Sequence, residues 1–304
     1  MIDVVPLSSE QAASYAAFTF PSLRPLIDDE REVRPVMFGA RAGEDPVGLS
    51  FGLAAPNRQF ELLSLYVSPL WRGQGVASRL LRALEEHYEA EGCVLGAHFF
   101  TLAEHEHGPA RFLMSNGWSS PTIRQVICQT TTELILASPL RAFARLPRGY
   151  RIVGWAEVTP AQRAAIRERS EREPGWYPAQ LDPFLQEQDC LLETSIALLN
   201  DNTVVGWLFS HALDEQTLRM TCSFVAKELE RLTRVLHLWW EAGVRQDART
   251  AMRRTIWTVP VQYGAHVQFV MKRVKPWMES VSYACTSIKR FKESETPSAN
   301  DQLS

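Results

Sequence analysis

Residues Leu62–Glu91 read LLSLYVSPLWRGQGVASRLLRALEEHYEAE, and three kinds of local order follow one another along them. Leu63, Leu65 and Val67 alternate with smaller or more polar neighbours, the period of a strand. Pro69 ends that strand, because proline cannot donate to a ladder. Gly73 and Gly75 let the backbone turn tightly and approach something bulky. From Val76 onward Leu80, Leu81, Leu84 and Tyr88 fall three and four apart on one helical stripe. The start of a helix carries unpaired N–H groups and the positive end of a dipole, so the loop is suited to an anion. Two phosphate loops are excluded. No Gly-x4-Gly-Lys-Ser/Thr run exists, and the third glycine of G-x-G-x-x-G is replaced by Ser78.

What stands here instead is Arg72-x-x-Gly75-x-Ala77, preceded by Leu65-Tyr66-Val67 and Pro69. That arrangement resembles the acyl-CoA loop of the GCN5-related N-acetyltransferase (GNAT) superfamily. The resemblance implies an α+β fold with a mixed central sheet flanked by helices, and acetyl-CoA as acyl donor. It implies that the backbone N–H groups of Arg72, Gly73, Gln74, Gly75, Val76, Ala77 and Ser78 hold the pyrophosphate. Main-chain groups of Leu65 and Val67 would face the pantetheine arm.

The implied reaction is N-acetyl transfer to a primary amine by direct attack. A lysine-like amine, with a pKa near ~10.4, is mostly protonated at neutral pH, so a carboxylate is needed to take its proton. Glu61, six residues before Val67, occupies the strand position of the catalytic glutamate in histone-type family members. The bland alternative is a solvated strand-end carboxylate. The family's tyrosine, four residues before a Gly-aromatic pair, is absent. Ahead of Gly117-Trp118 that position is Leu113. Tyr66, His98 and His107 are the other proton donors nearby. A thiol with pKa near ~8.5 is in any case a tolerable leaving group.

Composition narrows the classes further. With 45% hydrophobic and 22% charged residues, most of the chain should fold, and its 304 residues suggest two domains. A net charge of −3 gives no reason to expect nucleic acid as a partner. Cys93, Cys128, Cys190, Cys222 and Cys285 are odd in number and lack CxxC pairing, which suits a reducing cytoplasm. No signal pattern or membrane-length apolar run is present, so no membrane partner is expected. Glu104-His105-Glu106-His107 lacks the spacing of a metal site and reads as a polar loop, so no metal is expected.

Around the decisive stretch, Ile2–Pro6 reads as a strand and 8–17 as a capped helix. Val36–Arg41 and Pro46–Ala54 read as a hairpin, Cys93–Thr101 as a strand and Pro109–Asn116 as a short helix. Strands around Ile123–Gln129 and Glu133–Ala137 would complete a first domain. Ser138–Arg148 reads as a linker, after which the pattern restarts. At an offset of 158 residues Val47-Gly48 falls on Val205-Gly206, Phe51 on Phe209, Val67 on Val225 and Leu80 on Leu238. In that register Arg72, Gly73, Gly75 and Ala77 become Glu230, Arg231, Thr233 and Val235, and Glu61 becomes Arg219. Lys227–Trp240 reads as helix from its first residues.

The expectation is a catalytic domain over 1–140, a degenerate GNAT-like domain over 149–291 and a disordered tail over 292–304. Tandem members that acetylate small metabolites favour a small-molecule amine acceptor. Trp176-Tyr177-Pro178 is a candidate lining for that acceptor's pocket. The alternatives are a non-catalytic acyl-CoA-binding or scaffold protein, and a protein-directed acetyltransferase whose second domain docks the target.

Overall fold

The computed structural model describes residues 2–27, 35–231 and 233–291. It divides into two compact units: residues 1–124 with 284–304, and Gln125–Tyr283. The expected tail over 292–304 and residues 28–34 lie outside the described residues.

In the first unit β1 (Ile2–Pro6), β2 (Val36–Ala42), β3 (Asp45–Ala55) and β4 (Gln59–Val67) pair antiparallel in that order. β5 (Leu95–Ala103) then joins β4 in parallel, as a strand must when a helix connects it. That helix, Val76–Ala90, buries Val76, Leu80, Leu81, Leu84 and Tyr88, the stripe legible in the sequence. Leu81, Leu84 and Tyr88 pack on Phe60 and Leu62 of β4, with Tyr88 stacked on Phe60 at 4.4 Å. Each buried leucine contributes about 2 kcal/mol.

The second unit holds β6 (Thr122–Thr131, from Gln125 onward), β7 (Tyr150–Gly154), β8 (Ile196–Asn200), β9 (Thr203–Ala212), β10 (Thr217–Val225) and β11 (Arg254–Pro260). They run in the order β7-β8-β9-β10-β11-β6, with only the β10–β11 pairing parallel. The last strand, β12 (Ser280–Arg290), leaves this unit at Tyr283 and continues in the first, beside β5. Each unit is therefore closed by a strand from a distant part of the sequence. The compact units differ from the linear segments 1–140 and 149–291 by one strand in each direction.

The returning strand is held by charge as well as by its ladder. Lys289 Nζ lies 2.6 Å from Glu85 Oε2 and donates to the Asn116 carbonyl at 2.9 Å, while Trp118 Nε1 donates to Glu85 Oε1 at 2.7 Å. Glu85 is buried. Lys289→Met strands that carboxylate and is expected to cost about 3 kcal/mol, read as a fall in the urea midpoint. Adding Glu85→Gln should recover part of the loss. A shift no larger than that of an exposed lysine would dismiss the pair.

The two units carry the same backbone irregularities. Leu63 bulges from β4 between Leu62 and Ser64, and Thr221 bulges from β10 between Met220 and Cys222. Val47 and Val205 bulge in the preceding hairpins. Both pairs obey the offset of 158 residues read from side chains. A Cβ added at Gly48 would meet the Tyr66 carbonyl at 2.8 Å, and one at Gly206 the Phe224 carbonyl at 2.7 Å. Bulges re-aim a strand and are kept when a fold is copied.

Several local expectations are corrected. Glu133–Ala137 belongs to a helix, Thr132–Ala137, started by Thr131 Oγ1 accepting from Leu134 N–H. Its Ile135 packs onto the second unit's long helix, where a Cβ at Gly243 would come within 2.5 Å of it. The proposed linker begins as a 3-10 turn over Pro139–Phe143 capped by Ser138. Leu140 is buried and the Phe143 carbonyl accepts from His237 Nδ1 at 2.7 Å. Trp176 and Tyr177 do not line an acceptor pocket. They pack with Trp207 and Phe224 in the second unit's own core, and the Arg169 guanidinium lies 4.3 Å over Trp176.

Candidate functional site

β4 and β5 pair only over Gln59–Glu61 and Leu95–Ala97, although both strands run on for six residues. The bulge at Leu63 falls where they part. Between them opens a cleft of about 1220 Å³. Glu61 and His98 stand at its apex, Leu65 and Val67 along one wall, and Arg72, Gly73, Gly75, Val76, Ala77 and Ser78 at the loop. Nine of the ten residues singled out from the sequence thus border one space. Gln74 does not, because its Nε2 donates to the Leu70 carbonyl at 3.3 Å.

The loop geometry follows from its glycines. Gly75 is the residue before the helix and takes φ +75°, a left-handed conformation that costs other residues about 1–2 kcal/mol. Among the described residues, the amides of Gly73 through Ser78 have no hydrogen-bond acceptor, and Arg79 is the first to donate back, to the Gly75 carbonyl at 3.1 Å. Arg72 is excluded from that run, since its amide closes the preceding turn on the Pro69 carbonyl. Its side chain donates from Nε to the Val67 carbonyl at 2.9 Å and lies 5.3 Å over the Tyr66 ring. One main-chain acceptor expected for the pantetheine arm is therefore already engaged. What remains is a concave row of donors at a dipole end, with a guanidinium beside it.

At the apex, burial pushes the Glu61 carboxyl above the usual carboxylate range, which suits a proton acceptor near neutral pH. Among the described residues no hydrogen bond or ion pair ties its side chain. His98 Nδ1 lies 2.6 Å from the Leu62 carbonyl, bridging the parted strands, and its ring stacks on Phe100 at 4.9 Å. Burial lowers the imidazole pKa, against the pull of that carbonyl. A neutral ring donates its Nδ1 proton to a carbonyl that can only accept, which leaves Nε2 as an acceptor. His98 is thus suited to receive a proton rather than to serve as the missing acid. His107 precedes the helix Gly108–Ser115 and is not on the cleft wall. Leu113 is buried and borders the cleft where the family's tyrosine is expected.

The strand positions could be read from the sequence. Phe20, Ser22, Phe99, Phe112 and Thr101, which also line the cleft, were missed. No local pattern marks them; the parallel register of Glu61 with Ala97 is what carries 98–101 along the opposite wall. Among the described residues no group of three or more His, Cys, Asp or Glu side chains could hold a metal ion, and Glu104-His105 forms a turn. Nor is any described helix long and apolar enough to cross a membrane.

The second unit repeats the splay, with β10 and β11 paired only over Thr217–Arg219 and Arg254–Ile256. Its loop differs. Lys227–Trp240 is not one helix, for Lys227–Glu230 and Arg234–Arg249 are separated at Thr233, which takes φ +55° in the register of Gly75. The left-handed turn has survived without its glycine, while the Thr233 and Leu229 amides donate to Glu230 and Ala226 carbonyls. Met220 and Trp257, just past the paired residues, border a cavity of only about 10 Å³. A β-branched residue is strained there, so Thr233→Gly is expected to stabilise the protein by about 0.5–1 kcal/mol, measured by chemical denaturation.

Residues 6–110 match the acetyltransferase (GNAT) family. Among solved structures the chain is similar to a tandem GNAT protein from the clavulanic acid biosynthesis pathway, at 13% identity and TM-score 0.58, covering 97% of this chain and 100% of that one. It is similar to a GCN5-related N-acetyltransferase from Sphaerobacter thermophilus, at 16% identity and TM-score 0.56, covering 95% of each. A glucosamine N-acetyltransferase region of a fungal multi-domain β-N-acetylglucosaminidase gives 14% identity and TM-score 0.51, over 94% of this chain and 38% of that one. No curated protein matches the sequence. At such identities the likeness establishes architecture. The family match covers residues 6–110, and the structural likeness extends the same architecture over nearly the whole chain, as two GNAT-like folds in tandem.

Proposed function

We propose that the first unit transfers an acetyl group from acetyl-CoA to a primary amine on a small molecule, by direct attack within the β4–β5 cleft. The observation that carries this reading is the pairing of a free-amide loop at one part of the cleft with a half-buried carboxylate at its apex. The amides of Gly73–Ser78 and the charge of Arg72 bind the pyrophosphate. Main-chain groups of β4 beyond Glu61 receive the pantetheine arm. The ammonium gives one proton to Glu61, and the neutral nitrogen attacks the thioester carbonyl. As the tetrahedral intermediate collapses, its remaining extra N–H proton passes to the departing CoA thiolate, leaving the amide and CoA thiol. Tyr66 is the phenol on the cleft wall available to that thiolate. Five free cysteines favour a reducing, cytoplasmic setting.

A second reading, acyl-CoA binding without turnover, is favoured by Leu113, which puts an aliphatic group where an acid is expected. Release of CoA thiol with a panel of amines separates the two. Turnover abolished by Glu61→Gln supports transfer. Acetyl-CoA binding without turnover on any amine supports the second reading.

A further inference from the structure

The face of the sheet on which Glu61 lies is apolar and open. Phe60 and Leu62 face the helix, so Glu61 between them projects to the other face, where the bulged Leu63 packs against the cluster of Leu49 and Phe51. Leu23, from the 3-10 segment Pro21–Leu26, packs against the same cluster as Leu63. Ala97 is the register partner of Glu61, so Phe99, two residues on, lies on this face as well. Phe20 and Phe99 both line the cleft, yet they are 65% and 58% exposed. Two large apolar side chains lining the same cleft as this carboxylate are not needed for the core. They sit in a space with room for a ligand.

The charges of the cleft limit that ligand. Among the described residues its lining acids are Glu61 and Glu106, and its fixed cation, Arg72, stands at the loop and is engaged by the Val67 carbonyl. The lining thus offers, among the described residues, two carboxylates, fewer than the charges of a polyamine, and no free cation near Glu61 for an acidic acceptor. The uncharged polar side chains lining the cleft include Ser22, Ser64, Tyr66 and Thr101, while the two large exposed side chains in it, Phe20 and Phe99, are apolar.

We propose that the acceptor is a monoamine with an apolar, aromatic-sized body, seated between Phe20 and Phe99 with its ammonium at Glu61. This assignment rests on the acetyl-transfer reading for its use, but recognition of the amine can be measured apart from turnover. The full-length protein, saturated with CoA, is titrated calorimetrically with 2-phenylethylamine, ethylamine and spermidine. Thiol release from acetyl-CoA is followed with the same three amines.

Phenylethylamine is expected to bind and to turn over at least about tenfold better than ethylamine, the usual gain from filling an apolar pocket, and better than spermidine. The Phe20→Ala/Phe99→Ala double variant is expected to lower the phenylethylamine-to-ethylamine ratio about tenfold through KM rather than kcat. Both side chains are exposed, so the variant should fold, and its titration with acetyl-CoA verifies that. Preference for spermidine, or a ratio unchanged in the double variant, overturns the assignment. Phenylalanine-dependent binding without any turnover upholds the amine class while overturning acetyl transfer.

Discussion

Gly75→Glu is expected to weaken acetyl-CoA binding by at least about a hundredfold, measured by calorimetric titration of the full-length protein. A Cβ at Gly75 meets nothing within 4 Å, so the substitution introduces no clash. Two other effects act. Any side chain at φ +75° costs about 1–2 kcal/mol, which Gly75→Ala measures alone. The carboxylate then competes for the free amides of Gly73–Ser78 and opposes the pyrophosphate. A like-charge pair about 4 Å apart costs about 4 kcal/mol at an effective dielectric near 20, and every 1.36 kcal/mol is tenfold. Charge therefore outweighs strain, and the alanine variant should lose no more than about tenfold. The second unit already carries a threonine at the Gly75 position and a glutamate at the Arg72 position, so no acyl-CoA binding is expected there. Binding retained within a few-fold in Gly75→Glu would remove the cofactor assignment.

Glu61→Gln should lower kcat/KM by about 10²–10³ while acetyl-CoA still titrates, because the loss lies in proton transfer. The pH profile gives the stricter test. Burial raises the Glu61 pKa, so the fraction of active carboxylate falls as pH drops through that raised value and reaches its plateau above it. The wild-type rate should therefore show an acidic limb set above the ordinary carboxylate range. In the glutamine variant that limb should vanish, with part of the rate returning at high pH, where more of the amine is already neutral. An acidic limb unchanged in Glu61→Gln would assign the base elsewhere, with His98 Nε2 the next acceptor at the apex.

The strand–loop–helix unit was legible because each part has a local cause. Alternation gives β4, Gly75 supplies the left-handed residue, and the stripe from Val76 to Tyr88 gives the helix. The duplication was legible as well, since the matched residues pack against the same neighbours in both copies. Other features depend on distant residues and leave no local trace. The bulge at Leu63 shows in no side-chain pattern. The helix at Thr132–Ala137 owes its place to Gly243, and its apolar run reads equally well as a strand. Thr233 misled because propensity favours a continuous helix, whereas the inherited turn imposes a break. The apolar side of the site went unread for a related reason. Phe20 and Phe99 are far apart in sequence; the register of Glu61 with Ala97 places Phe99, and Phe20 comes from the cap of the Pro21–Leu26 segment.

The exchange of closing strands bears on how the molecule is made. Residues 284–290 leave the ribosome only after all of Gln125–Tyr283, yet they complete the sheet that carries the cleft. The nascent first half must therefore wait with an open edge beside β5 and with Glu85 lacking its lysine. A gene fragment ending before Ala284 should yield a protein prone to aggregation rather than a small active enzyme. Fusing 284–290 directly after the first half would be the way to express the first unit alone.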